Sequence, residues 1–107
     1  MLFGKWGNYE KDEVKAAEYY TKAAEAGNTL AQSSLGDCYF YGNGVAKDFE
    51  QAVKYYTMAA EAGNEWALNK LANCYYYGDG VEQDEAKAIE YFTKSAEAGN
   101  KNSMCRL

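Results

Sequence analysis

A self-repeat with a period of 36 residues constrains this chain more than any other feature. Asn28, Asn64 and Asn100 each follow Ala-Gly, and residues 28–63 laid over 64–99 are identical at 17 of 36 positions. The identities include Ala31/Ala67, Leu35/Leu71, Cys38/Cys74, Tyr39/Tyr75, Gly42/Gly78, Gly44/Gly80, Val45/Val81, Asp48/Asp84, Ala52/Ala88, Tyr55/Tyr91 and Gly63/Gly99. A half copy precedes them, because residues 12–28 match 48–64 at 11 of 17 positions. A fixed period of this length is the signature of a solenoid, in which each unit packs only on its neighbours. The chain reads as one repeat domain over 1–107, with a partial copy at 1–27 and full copies at 28–63 and 64–99. Residues 100–107 read as the start of a further copy or a polar cap. Both ends fall inside a unit. That pattern suits a piece of a longer array, or ends covered by a partner, including end-to-end self-association.

Each unit reads as two helices. Ala31, Leu35, Cys38 and Tyr39 recur at helical spacing, as do Ala67, Leu71, Cys74 and Tyr75, which defines helix A. Helix B begins after Asp48 or Asp84 and carries Ala52, Tyr55, Tyr56, Ala59 and Ala60, or Ala88, Tyr91, Phe92 and Ala96. The Asp carboxylate accepts first-turn N–H groups, and Gln51 three residues after Asp48 suits a capping box. Gly42 and Gly78 are expected to end helix A, and Gly63 and Gly99 to end helix B, since glycine accepts the left-handed closing residue. Val45 and Val81, alone apolar in their loops, are expected to plug the seam between helices. In the first half copy Trp6 and Asn8 stand where the loop glycines stand later, and Tyr9 replaces the Val, which weakens the turn there.

Composition removes several functions. The chain of 107 residues has a net charge of −5, which disfavours nucleic acid and anionic membrane surfaces. No stretch approaches the ~20 apolar residues of a membrane helix. There is no histidine, so the commonest general base and metal ligand is missing. No cysteine stands beside a candidate base, and no catalytic residue, metal site or cofactor is expected. The loops Gly42–Asn43–Gly44 and Gly78–Asp79–Gly80 contain GxG, but no strand precedes them and the repetition explains both glycines as turn residues. Asp79, Glu82, Asp84 and Glu85 crowd one loop without the spacing of an EF-hand. The three cysteines do not make a disulfide framework; Cys38 and Cys74 share a register in adjacent units and read as buried thiols. Reduced thiols favour a soluble cytoplasmic protein, with secretion or a periplasmic location left open.

The pattern Ala31, Leu35, Gly36, Tyr39, Gly42, Gly44, Val45, Asp48, Ala52, Tyr55, Tyr56, Ala59, Ala60, Glu61, Ala62, Gly63 resembles the Sel-1-like repeat, a relative of the tetratricopeptide repeat. The second copy departs only at Ala72, Phe92 and Ser95. The resemblance covers essentially the whole chain. It implies an all-α, right-handed α-solenoid of antiparallel helix pairs that acts as an adaptor for partner proteins. Some such proteins carry a disulfide in each hairpin; this chain lacks the second cysteine per hairpin.

Packing positions must repeat between copies, whereas contact positions need not. Along helix A the differing residues are Leu30/Trp66, Ser33/Asn69, Asp37/Asn73 and Phe40/Tyr76, next to the matching Tyr41/Tyr77. Their spacings of three and four place them on one helical face. Tetratricopeptide geometry, carried over by the resemblance, turns that face toward a concave groove. The candidate partner-binding residues are therefore Leu30, Ser33, Asp37, Phe40, Trp66, Asn69, Asn73, Tyr76 and Tyr77. None is Lys or Arg, which argues against a groove that grips a peptide carboxylate. The lining suits an apolar protein or peptide segment. Two alternatives stand beside this reading: a structural spacer without a ligand, and recognition of a carbohydrate or cell-wall fragment by the tyrosines.

Overall fold

The computed structural model describes the backbone of residues 2–106 and the side chains of residues 12–99. Five helices follow one another: α1 (Leu2–Glu25), α2 (Thr29–Tyr41), α3 (Phe49–Glu61), α4 (Glu65–Tyr77) and α5 (Glu85–Arg106). No strand occurs among the described residues. Helices α2 and α4 are the A helices; α3 and α5 are their B helices. Each helix packs on the next in sequence, which gives an α-solenoid of antiparallel helix pairs.

The boundaries have side-chain causes. Asn28 and Asn64 cap α2 and α4, their side-chain oxygens accepting the N–H of Ala31 (2.9 Å) and Ala67 (2.8 Å). Asp48 caps α3 through the N–H groups of Glu50 and Gln51, and Asp84 caps α5 through that of Lys87. The return arm of the expected capping box is absent. The Asp48 N–H donates to the Tyr39 carbonyl (2.8 Å) and that of Asp84 to Tyr75 (2.9 Å), which ties each B helix to its own A helix.

The two loop glycines have different jobs. Gly42 and Gly78 close their A helices with φ of 72° and 74°. Gly44 and Gly80 also have positive φ, but they act between units. A Cβ on Gly44 would lie 2.2 Å from the Glu13 carbonyl oxygen of α1, and one on Gly80 would lie 2.4 Å from that of Phe49 in α3. Each GxG loop therefore rests on the backbone of the preceding B helix, and the contact sets the stacking register. Val45 and Val81 pack against the two cores.

Those cores are small-residue seams. One holds Ala17 and Ala24 of α1, Ala31, Leu35 and Cys38 of α2, and Tyr55 of α3. The other holds Ala52, Tyr56, Ala59 and Ala60 of α3 with Ala67, Leu68, Leu71 and Cys74 of α4. Within each hairpin a tyrosine pair stacks, Tyr39 on Tyr55 and Tyr75 on Tyr91, with centroids 5.9 and 5.7 Å apart. Cys38 and Cys74 are buried and free.

One expected turn is missing, and the weakened turn of the first half copy does not form. Gly99 does not end α5, which runs on to Arg106. At Gly27 and Gly63 the chain turns with positive φ, and an A helix follows with Leu, Cys and Tyr to dock. Likewise α1 is continuous from Leu2, so no separate A helix and loop precede Asp12. Trp6 and Asn8 stand where the left-handed glycines would be needed.

Candidate interaction surface

The nine positions singled out along α2 and α4 do not share one environment. Leu30 is 71% exposed, Trp66 53% and Tyr77 68%; Tyr76 and Asn69 are also exposed. Asp37, Phe40 and Asn73 are half-buried. Ser33 is buried and its hydroxyl donates to the Leu30 carbonyl of its own helix, so it offers nothing to a partner. Tyr41, whose twin is Tyr77, is also exposed.

Several of these side chains already hold one another. The Asp37 carboxylate accepts from the buried Tyr56 hydroxyl of α3 and from the Trp66 indole Nε1–H of α4, at 3.1 and 3.0 Å to its two oxygens. Asp37 thus joins three helices. Burial, then the Asp37 carboxylate, holds the Tyr56 hydroxyl far above the usual phenol range. Gly36 makes the arrangement fit, since a Cβ there would meet the Tyr56 ring at 2.6 Å. The second copy replaces the whole set: Ala72 for Gly36, Asn73 for Asp37 and Phe92 for Tyr56. With no hydroxyl to receive, Asn73 turns its amide to Asn69 (3.3 Å).

Sequence reasoning missed one residue on this face. Lys70 of α4 places its ammonium 4.4 Å from the Phe40 ring centroid and donates to the Tyr41 hydroxyl at 2.5 Å. It also lies 5.6 Å from the Trp66 ring. A cation therefore does stand among the candidate positions, but it closes the seam between α2 and α4. The signal was available: Lys70 replaces Ser34 of the first copy. On α4 the equivalent aromatic pair, Tyr76 and Tyr77, meets edge to face at 4.9 Å and carries no cation from the described residues.

Beside this row a shallow depression of about 450 Å³ is lined by Glu65, Trp66, Asn69 and Ser95. A second, of about 520 Å³, lies between α3 and α5 and is lined in part by Thr57, Leu68, Tyr91 and Lys94. Burial raises both thiols, helped by Asp37 and Glu13 at Cys38; Cys74 is pushed up to about 11, with Asp79 raising and Lys70 lowering it. No three His, Cys, Asp or Glu side chains converge among the described residues, and Asp84 of the acidic loop is engaged as a cap. No helix among them is long and apolar enough to cross a membrane.

Stacked helix hairpins with repeating caps, glycine turns and alanine seams define a helical-repeat scaffold of the tetratricopeptide kind. The chain belongs to the Sel1 repeat family, whose model matches residues 1–28, 29–64 and 67–100. Members are typically non-enzymatic scaffolds that mediate protein–protein contacts. The chain is similar to c5321, a protective antigen of uropathogenic Escherichia coli with an SLR fold, at 40% identity and a TM-score of 0.79. That match covers 80% of this chain and 18% of the antigen. A Sel1 repeat protein from Oxalobacter formigenes matches at 34% identity and TM-score 0.80, over 81% of this chain and 25% of that one. Cysteine rich protein B of Helicobacter pylori matches at 30% and 0.74, over 85% and 68%. The chain thus spans a quarter or less of the first two relatives. No curated protein matches it.

Proposed function

We propose that this chain is a protein-interaction module that presents the A-helix face of α4 to a partner protein or peptide. The supporting observation is the exposed row of Asn69, Tyr76 and Tyr77 beside Trp66, on a face whose equivalents Ser33, Asp37 and Phe40 in the other copy are buried or half-buried. Aromatic residues with polar tips are the usual anchors of such contacts. Leu30 extends the surface at its other end. Asp37 and Phe40 support it from beneath through Trp66 and Lys70. The free thiols favour a reducing compartment, in keeping with a cytoplasmic adaptor.

A spacer role is the second reading, and one observation favours it: the Trp66 indole is bound to Asp37 and helps to join the two units. Trp66 substitutions therefore mix binding with stability. The test is a pull-down that compares the native chain with an Asn69→Arg/Tyr77→Ala variant of unchanged melting temperature. A protein retained by the native bait and lost by the variant supports the module. Equal retention by both, or none by either, supports the spacer.

A further inference from the structure

The first GxG loop contains a chemically labile bond, Asn43–Gly44, where its twin has Asp79–Gly80. The other asparagines among the described residues are engaged. Asn28 and Asn64 cap α2 and α4, and Asn73 donates to Asn69 along α4. Asn43 is exposed in the turn between α2 and α3, with its backbone N–H on the Cys38 carbonyl. Among the described residues neither its side-chain amide nor the Gly44 N–H has a partner. Gly44 has no Cβ to screen its nitrogen from the asparagine side chain. A depression lined in part by Val14, Asn43 and Val45 opens this peptide bond to water.

We propose that Asn43 is a site of self-modification, whose isoaspartyl product loosens the contact between α1 and the unit that follows. The Gly44 amide nitrogen loses its proton and attacks the Asn43 side-chain carbonyl carbon. The new N–Cγ bond forms, the Cγ–Nδ2 bond breaks, and ammonia leaves with that proton. Water then opens the cyclic imide at one of its two carbonyls. Opening at the side-chain carbonyl gives aspartate. Opening at the main-chain carbonyl gives an isoaspartyl linkage, in which the chain runs through the former side chain. Water is the only other reactant, and nothing is oxidised or reduced.

The two products differ in what they do to the fold. Aspartate leaves the backbone unchanged, and the second copy already tolerates it: Gly80 follows Asp79 with the same φ of 77° as Gly44. The isoaspartyl linkage adds a carbon to the main chain just before Gly44. That glycine has no room to shift toward α1, since even a Cβ on it would lie 2.2 Å from the Glu13 carbonyl oxygen and 3.0 Å from the Val14 nitrogen. The added carbon therefore lifts the loop off the α1 backbone. The bond that ages is the one whose loop sets the stacking register.

The native chain is incubated in warm, mildly alkaline buffer beside a free peptide spanning Tyr41–Ala46 and the Asn43→Gln variant. Mass spectrometry of proteolytic fragments locates the lost amide. A protease that cuts before aspartate but not before an isoaspartyl residue separates the products. The folded chain is expected to react at Asn43 within about tenfold of the peptide's rate, because a surface loop opens at little cost. The reacted fraction, isolated by ion exchange, should contain a component with a Tm lower by about 5 °C, beside one that melts like Asn43→Asp. Asn43→Asp itself should melt with the native chain. Asn43→Gln closes its larger ring slowly and should keep its Tm; its course also subtracts any isomerisation at Asp79. Survival of the Asn43 amide while the peptide reacts overturns the proposal. So does amide loss at Asn28, Asn64, Asn69 or Asn73 as fast as at Asn43. An isoaspartyl form that melts with the native chain refutes the loosening of α1.

Discussion

Replacing Tyr56 by Phe removes one hydroxyl from a ring with no exposed surface and changes nothing else in shape. The lost bond ends on the Asp37 carboxylate, and bonds to charged groups contribute about 1.5–3 kcal/mol. Asp37 is half-buried and keeps the Trp66 N–H, so the lower part of that range applies. We expect a cost of roughly 1–2 kcal/mol, or a Tm lower by about 5–12 °C for a chain of this size. Asp37→Asn alone keeps an acceptor but removes its charge, at roughly 0.5–1.5 kcal/mol. The pair should not add: the double variant, which has the side-chain types of Phe92 and Asn73, should be about 1 kcal/mol more stable than the sum of the single costs. Urea unfolding followed by circular dichroism, at constant slope, measures all four corners of the cycle. A Tyr56→Phe cost below about 0.3 kcal/mol, or strict additivity, would refute the claim that this carboxylate ties three helices together.

Other outcomes follow from the same geometry. Gly44→Ala should cost about 3 kcal/mol or more, because strain at positive φ joins a collision with the α1 backbone; Gly27→Ala, with open space around it, should cost only about 1 kcal/mol. Melting curves of the two variants decide this, and equal costs would contradict the stacking role of Gly44. Lys70→Met should destabilise by about 1 kcal/mol through the lost contacts to Phe40 and Tyr41. A neutral effect in urea unfolding would mean the cation does not hold the seam. The Cys74 thiol keeps its proton more tightly folded, at about 11, than at its ordinary 9.0. Its share of stability is therefore full below pH 9 and lost as pH rises through about 11. Unfolding midpoints across that window should fall less steeply in Cys74→Ala than in the native chain, and an equal slope would refute the assignment.

Much of the architecture was legible because a repeat states its packing rules twice. Leu35/Leu71, the Asp48/Asp84 caps and the glycine pairs recur in register, and they are the helix anchors, ends and turns found in the fold. The turns were harder to read than the anchors. Gly99 resembles Gly63 in its local sequence, yet α5 runs through it to Arg106. The surface was only partly legible. Treating differing positions as contact positions ignored coupled change, in which Gly36, Asp37 and Tyr56 differ from Ala72, Asn73 and Phe92 as one touching set. Asp37 and Tyr56 lie 19 residues apart on separate helices, so no local spacing announces the pair. Lys70 differs from Ser34 and was missed because it was not among the differing positions chosen.

Site-specific photo-crosslinking tests the interaction surface most directly. A photoreactive side chain is placed in turn at Asn69 and Tyr77 on α4, and at Lys54 and Ile89 on the B helices, and the folded variants are exposed to a lysate of the source organism. We expect the same protein to be captured from Asn69 and Tyr77 and not from Lys54 or Ile89. Capture from the B-helix positions alone, or no capture from any of the four, would contradict the assignment of the A-helix face as the binding surface.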